Sequence, residues 1–159
     1  MKTKVVVTFV VIAIMGVLSH FAYDYFNIEL LKIIFPANES LFEHTKLIIF
    51  PTLIFMIFDY IITKDKENIL SSYLAGIIVS VVFMISGFYT IYGIIGYNID
   101  WINILLFFIC VAIVVYYRYK KITLFDGANN VIALIILLII IEIFSFYPAD
   151  IAFFKELNI

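Results

Sequence analysis

The chain has 159 residues, 65% hydrophobic and 14% charged, with ten Lys and Arg against twelve Asp and Glu for a net charge of -2. An average soluble domain is roughly 45–50% apolar and ~25% charged, so a chain of mean hydropathy +1.16 has too few polar residues to cover a globule in water. Without an excess of basic residues to neutralise phosphates, a nucleic-acid partner is excluded as well. The expected architecture is an all-α, polytopic membrane helical bundle forming a single domain over residues 1–159, with the lipid bilayer as its solvent.

A helix that crosses a ~30 Å hydrocarbon layer needs about 20 mainly apolar residues, with each backbone polar group bonded inside the helix. The first such stretch covers 5–23 and follows Met-Lys-Thr-Lys. Read as a signal peptide, a cut after Ala22 would put His20 where a small residue is required, so the segment is expected to stay as a transmembrane helix. The apolar patch 28–35 is too short to cross and carries Glu29 and Lys32, which predicts a short interfacial helix over the bundle. The second span, 46–63, contains Pro51, which leaves the Leu47 carbonyl without its helical donor. In the third, 69–92, Ser72, Gly76 and Ser80 recur every four residues, the spacing of a seam that lets another helix approach closely, and a seam within the monomer is expected. The fourth span, 101–119, holds the single cysteine, Cys110, which has neither a disulfide partner nor metal or redox spacing. The fifth, 130–147, carries Glu142 about 7.5 Å below its end at ~1.5 Å per residue. An ionisable group at that depth faces the bundle interior and needs a partner, for which Lys46 and His44 are the candidates.

Short cytoplasmic loops retain Lys and Arg. With the N-terminus inside, the inner segments hold Lys2, Lys4, Lys64, Lys66, Arg118, Lys120 and Lys121, and the outer ones only Lys32, Lys46 and Lys155. Five spans then give an N-inside, C-outside membrane protein.

That orientation puts most of the unusual polar residues outside, most densely in 36–46 at the start of the second helix. Part of this segment is accounted for structurally. Ser40-x-x-Glu43 has the spacing of a capping box, Pro36 and Asn38 suit the turn before it, and Glu43 and Lys46 are i,i+3 neighbours able to pair. The cap does not account for Glu39, His44 and Lys46 crowded beside it at a membrane boundary, where charge is costly unless paired or solvated. Glu39 and Glu43 are four residues apart and His44 lies about 100 degrees around the axis, an arrangement of acids and imidazole suited to proton transfer. Glu39, Glu43 and His44 are therefore the candidate catalytic residues. Asn38, Ser40, Lys46, His20, Tyr23 and Glu142 are the candidates for substrate binding. His20 and His44 stand at adjacent outer helix ends, and a carboxylate beside them would complete a three-ligand catalytic zinc site, although no H-E-x-x-H spacing is present and neither metal nor cofactor is specified.

The same segment resembles a family of small multi-pass bacterial membrane proteins, known mainly from Gram-positive anaerobes, with the hallmark Pro-x-Asn-Glu-Ser-x-x-Glu-His-x-Lys-Leu. Here the hallmark reads Pro36, Asn38, Glu39, Ser40, Glu43, His44, Lys46 and Leu47. His20-x-x-Tyr23, Tyr89-Thr90-x-x-Gly93 and Phe146-Tyr147-Pro148 are similar to its weaker landmarks, while Phe42 stands where the family has tryptophan and the tail lacks a second proline. The resemblance implies a multi-pass protein of the bacterial plasma membrane and a place for a site, and it implies no reaction.

Three functions are compatible with these residues. The first is a membrane-embedded hydrolase or transferase acting at the outer leaflet on a lipid, lipoprotein or peptide, with Glu43 or Glu39 as base and His44 as its partner. The second is a small ion or solute transporter or ligand-binding subunit, with Glu39, His44, Lys46 and Glu142 around a vestibule. The third is a non-catalytic immunity or assembly protein that docks a partner through an exposed Phe42 and the tail after Pro148.

Overall fold

The computed structural model describes residues 2–64, 66 and 68–155. Among the described residues, five helices are long and apolar enough to cross a membrane: α1 (Lys2–Phe26), α2 (Leu41–Ile62), α3 (Ile69–Ile95), α4 (Asp100–Lys120) and α5 (Ala128–Phe146). Each contains one of the expected spans or matches it to within a few residues. The largest shift is at α2, which begins five residues before the apolar run, because Ser40 caps it and its hydroxyl accepts from the Glu43 N–H at 3.3 Å. Within the predicted interfacial segment a short 3-10 turn, Glu29–Ile33, packs beside α5.

α3 and α4 make the most extensive contact. The small-residue stripe explains how: Ser72, Gly76 and Ser80 are buried, and a Cβ on Gly76 would lie 2.9 Å from the Val114 Cα. The seam lies within the chain, as expected. It is fastened by a reciprocal pair, in which the Ser80 hydroxyl donates to the Cys110 carbonyl at 2.8 Å and the Cys110 thiol donates to the Ser80 carbonyl at 3.3 Å. α1 approaches α2 and α4 in a similar way at Gly16. A Cβ there would stand 2.8 Å from the Leu47 carbonyl oxygen, the one freed by Pro51, and 2.6 Å from the Phe107 ring.

Away from the Ser40 end of α2, a polar cluster around Asp59 is buried. The Arg118 Nε donates to Asp59 Oδ2 at 2.7 Å, the Tyr73 hydroxyl to the same oxygen at 3.0 Å, and the Thr63 hydroxyl to Oδ1 at 2.7 Å. The guanidinium also lies over the Tyr73 and Tyr119 rings. α5 is peripheral, with only Asn130 and Ile141 buried, so its apolar surface is left for a lipid solvent.

One expectation is corrected. Phe42 is 5% exposed rather than open to a partner, because the tail folds back over it. The Phe153 and Phe154 ring centroids lie 5.7 and 4.8 Å from that of Phe42, and Phe144 of α5 closes the cluster at 6.2 Å. An aromatic ring beside three others is more stable buried than solvated, so this end of the chain is used for packing.

Candidate functional site

The loop 34–40 and the first turn of α2 carry two polar groups that point in different directions. The first is structural. Glu43 and Lys46 form a buried ion pair, Nζ to Oε2 at 2.8 Å. The Ala37 N–H donates to the same carboxylate at 2.7 Å, and the ammonium also donates to the Lys32 carbonyl. Half of the capping box is thus formed: Ser40 caps Glu43, while the Glu43 side chain reaches back to Ala37 and the Ser40 N–H is taken by Asn38 Oδ1 at 2.9 Å. Glu142 acts on Lys46 and Glu43 through space, and among the described residues the ammonium is bonded to Glu43 and Lys32 instead.

The second group is partly open. The Asx turn at Asn38 directs the Glu39 side chain toward His44 and His20. Glu39 Oε2 lies 3.3 Å from His44 Nε2 and 3.7 Å from His20 Nε2, and the two imidazole centroids are 5.3 Å apart. His44 Nδ1 is 2.8 Å from the Ser40 carbonyl oxygen. Hydrogen bonding by His44 and the charges of both imidazoles hold the Glu39 carboxyl below its usual range, against the opposing effect of partial burial. The side chains of Glu39, His20 and His44 are 50%, 31% and 21% exposed, so none of the three is sealed inside the bundle.

These residues form part of the wall of a cavity of about 450 Å³ between α1, α2, α3 and α4. Its body is apolar, with Val17, Phe21, Leu47, Met84, Phe88 and Phe107 among the lining side chains, and Gly16 leaves room for it in α1. The structure therefore brings together His20, Glu39 and His44 out of the candidates named from sequence. Glu43 and Lys46 are turned into their own buried pair, and Asn38 and Ser40 shape the turn. Tyr23 lies outside the cavity wall, near Lys32, and Glu142 stands across the bundle beside Lys46. Three further polar residues line the cavity: Asn98, Asp100 and Asn103, joined by Asn98 Nδ2 to Asp100 Oδ1 at 3.2 Å and Asn103 Nδ2 to Asn98 Oδ1 at 2.7 Å. In the sequence, Asp100 stands among the polar residues of the expected outer segments, and Asn98 and Asn103 are marked only by their i, i+2, i+5 spacing with it at the start of a helix.

A model of a family of unknown function, DUF6512, matches residues 1–158. The chain belongs to that family. No curated protein and no solved structure matches it. In this DUF6512 member, the chemistry of the site must accordingly be read from its own geometry.

Proposed function

We propose that the protein is a membrane-embedded hydrolase or transferase whose substrate is amphiphilic, a lipid, lipoprotein or lipid-linked peptide, and that His20, Glu39 and His44 form its reacting group. The observation that carries this reading is the placement of that group, with Asn98, Asp100 and Asn103, on the wall of a cavity with an apolar body between four helices. Such a cavity accepts an acyl or prenyl chain, and the polar head then lies against the imidazoles and the carboxylate. In hydrolysis, Glu39 accepts a proton from the attacking water as the water oxygen bonds to the acyl or phosphoryl centre. The bond to the leaving oxygen breaks, and that oxygen takes its proton from His44. In transfer, a hydroxyl of the acceptor replaces the water. Asn98, Asp100 and Asn103 supply hydrogen-bonding partners for the head group.

The purified protein, incubated with a phospholipid, a lipid-linked phosphate and an acylated peptide, is expected to release product from one of them by mass spectrometry. Glu39→Gln and His44→Ala are expected to lower that rate by about 10²-fold or more. A folded Glu39→Gln variant turning over at the wild-type rate rules the assignment out.

The site faces the extracytoplasmic side in this reading, because the opposite orientation would put seven of the ten basic residues outside. A Glu39→Cys variant in intact cells is expected to react with a membrane-impermeant maleimide. Reaction only after lysis would reverse the topology.

A further inference from the structure

The hydrogen bonding of His44 fixes which of its nitrogens carries hydrogen. A carbonyl oxygen has no proton to give, so Nδ1 is the N–H that donates to Ser40 at 2.8 Å. In the neutral imidazole, Nε2 then presents a lone pair. It does so to another lone-pair atom, Glu39 Oε2, at 3.3 Å, and His20 Nε2 approaches the same oxygen at 3.7 Å. Three possible ligand atoms from α1, the loop and α2 thus lie within 4.8 Å of one another, a grouping that is held either by imidazole N–H donors on the carboxylate or by a cation among the three. Protons on the two Nε2 atoms join each imidazole to Glu39 but leave the imidazoles unlinked to each other. A metal ion can satisfy all three: bonds of ~2.0–2.1 Å in tetrahedral geometry separate neighbouring ligand atoms by about 3.3–3.4 Å, close to the two distances observed.

The surroundings fit as well. A ligating histidine commonly donates its other ring N–H to a backbone carbonyl, which sets the tautomer and aims the lone pair, as Ser40 does for His44. Ser40 is itself buried and held by the Asx turn and the helix cap, so this orientation is rigid. Two imidazoles and one carboxylate are the donor set of catalytic zinc sites, and they suit zinc better than magnesium or calcium, which favour oxygen ligands.

We propose that His20 Nε2, Glu39 Oε2 and His44 Nε2 bind one divalent transition-metal ion of the zinc class, with a further coordination position left for water or for the head of a molecule in the cavity. The ion takes the place of the proton between His44 and Glu39, and bound there it would polarise a substrate carbonyl or phosphoryl oxygen. Its catalytic meaning rests on the substrate class proposed above, whereas its binding does not; with the ion bound, Glu39 Oε2 and His44 Nε2 would act as its ligands in place of the free base and acid described there.

The full chain, purified through a tag without histidine, stripped with a chelator and held in nanodiscs, is titrated with zinc chloride by calorimetry. One zinc per chain is expected, with affinity lowered at least tenfold in each of His20→Ala, Glu39→Gln and His44→Ala and unchanged in Glu29→Gln. Folding of every variant is checked by thermal unfolding, with exposure of the buried Cys110 thiol as the readout. If a variant does not fold, His44→Gln or Glu39→Asp takes its place. Absence of one-to-one zinc binding by the folded wild type, or full affinity in folded His44→Ala and Glu39→Gln, overturns the metal site. The two readings separate cleanly. Zinc binding that these variants abolish, with turnover intact, overturns the catalytic reading and supports the metal site. Turnover lost in Glu39→Gln, with no zinc bound by the wild type, does the reverse.

Discussion

Asp59→Leu is expected to lower the stability of the folded protein by ~3–5 kcal/mol, because it leaves the Arg118 guanidinium buried without its counter-charge. Both side chains are more than nine-tenths buried in the folded chain. Arginine cannot escape the penalty by losing its proton, as a buried lysine or carboxylic acid can. The Tyr73 and Tyr119 rings beside it recover only part of the lost interaction. Replacing both partners removes the orphaned charge, so Asp59→Leu with Arg118→Met should regain most of the loss. The single cysteine makes this measurable without a new probe, since Cys110 is fully buried and its reaction with a fluorogenic maleimide on heating reports unfolding. A single variant that unfolds with the wild type, or a double variant no better than the single, contradicts the role given to this cluster.

The second large effect is expected at Lys46→Met. Here the orphan is Glu43, a carboxylate that can take up a proton and so become neutral, which places the loss near the lower end of ~3–5 kcal/mol. The substitution also removes the donor to the Lys32 carbonyl, freeing the 3-10 turn from α2. Glu43 keeps its bond from Ala37, so the turn that carries Glu39 retains one anchor. Zinc affinity is therefore expected to change less than in any variant of the three ligands. A Lys46→Met protein as stable as the wild type but unable to bind zinc would move Lys46 from the scaffold into the site.

The contrast between these two carboxylates shows how far the sequence could be read. Five apolar runs, their approximate limits and the small-residue seam follow from hydropathy and spacing alone, since lipid leaves the backbone few alternatives to helix. Glu39 and Glu43, by contrast, look alike as i,i+4 acids around a histidine. Their fates differ because Ser40 starts the helix between them. Glu43 therefore follows helical geometry into the Lys46 pair, whereas Glu39 follows the Asx turn toward α1. That distinction depends on a single cap. The meeting of His20 with His44 depends on α1 packing beside α2, and the lining by Asp100 on α4 packing beside α1, contacts between residues far apart in the chain that no local pattern specifies. Phe42 is the clearest example, since its burial depends on Phe153 and Phe154 returning from the far end of the chain.

The account depends most on three ligand atoms meeting at one point. Diffraction from zinc-soaked crystals on either side of the zinc absorption edge tests this directly. The predicted result is one anomalous peak about 2.0–2.2 Å from His20 Nε2, Glu39 Oε2 and His44 Nε2. A zinc peak elsewhere, or none at this position, would contradict it.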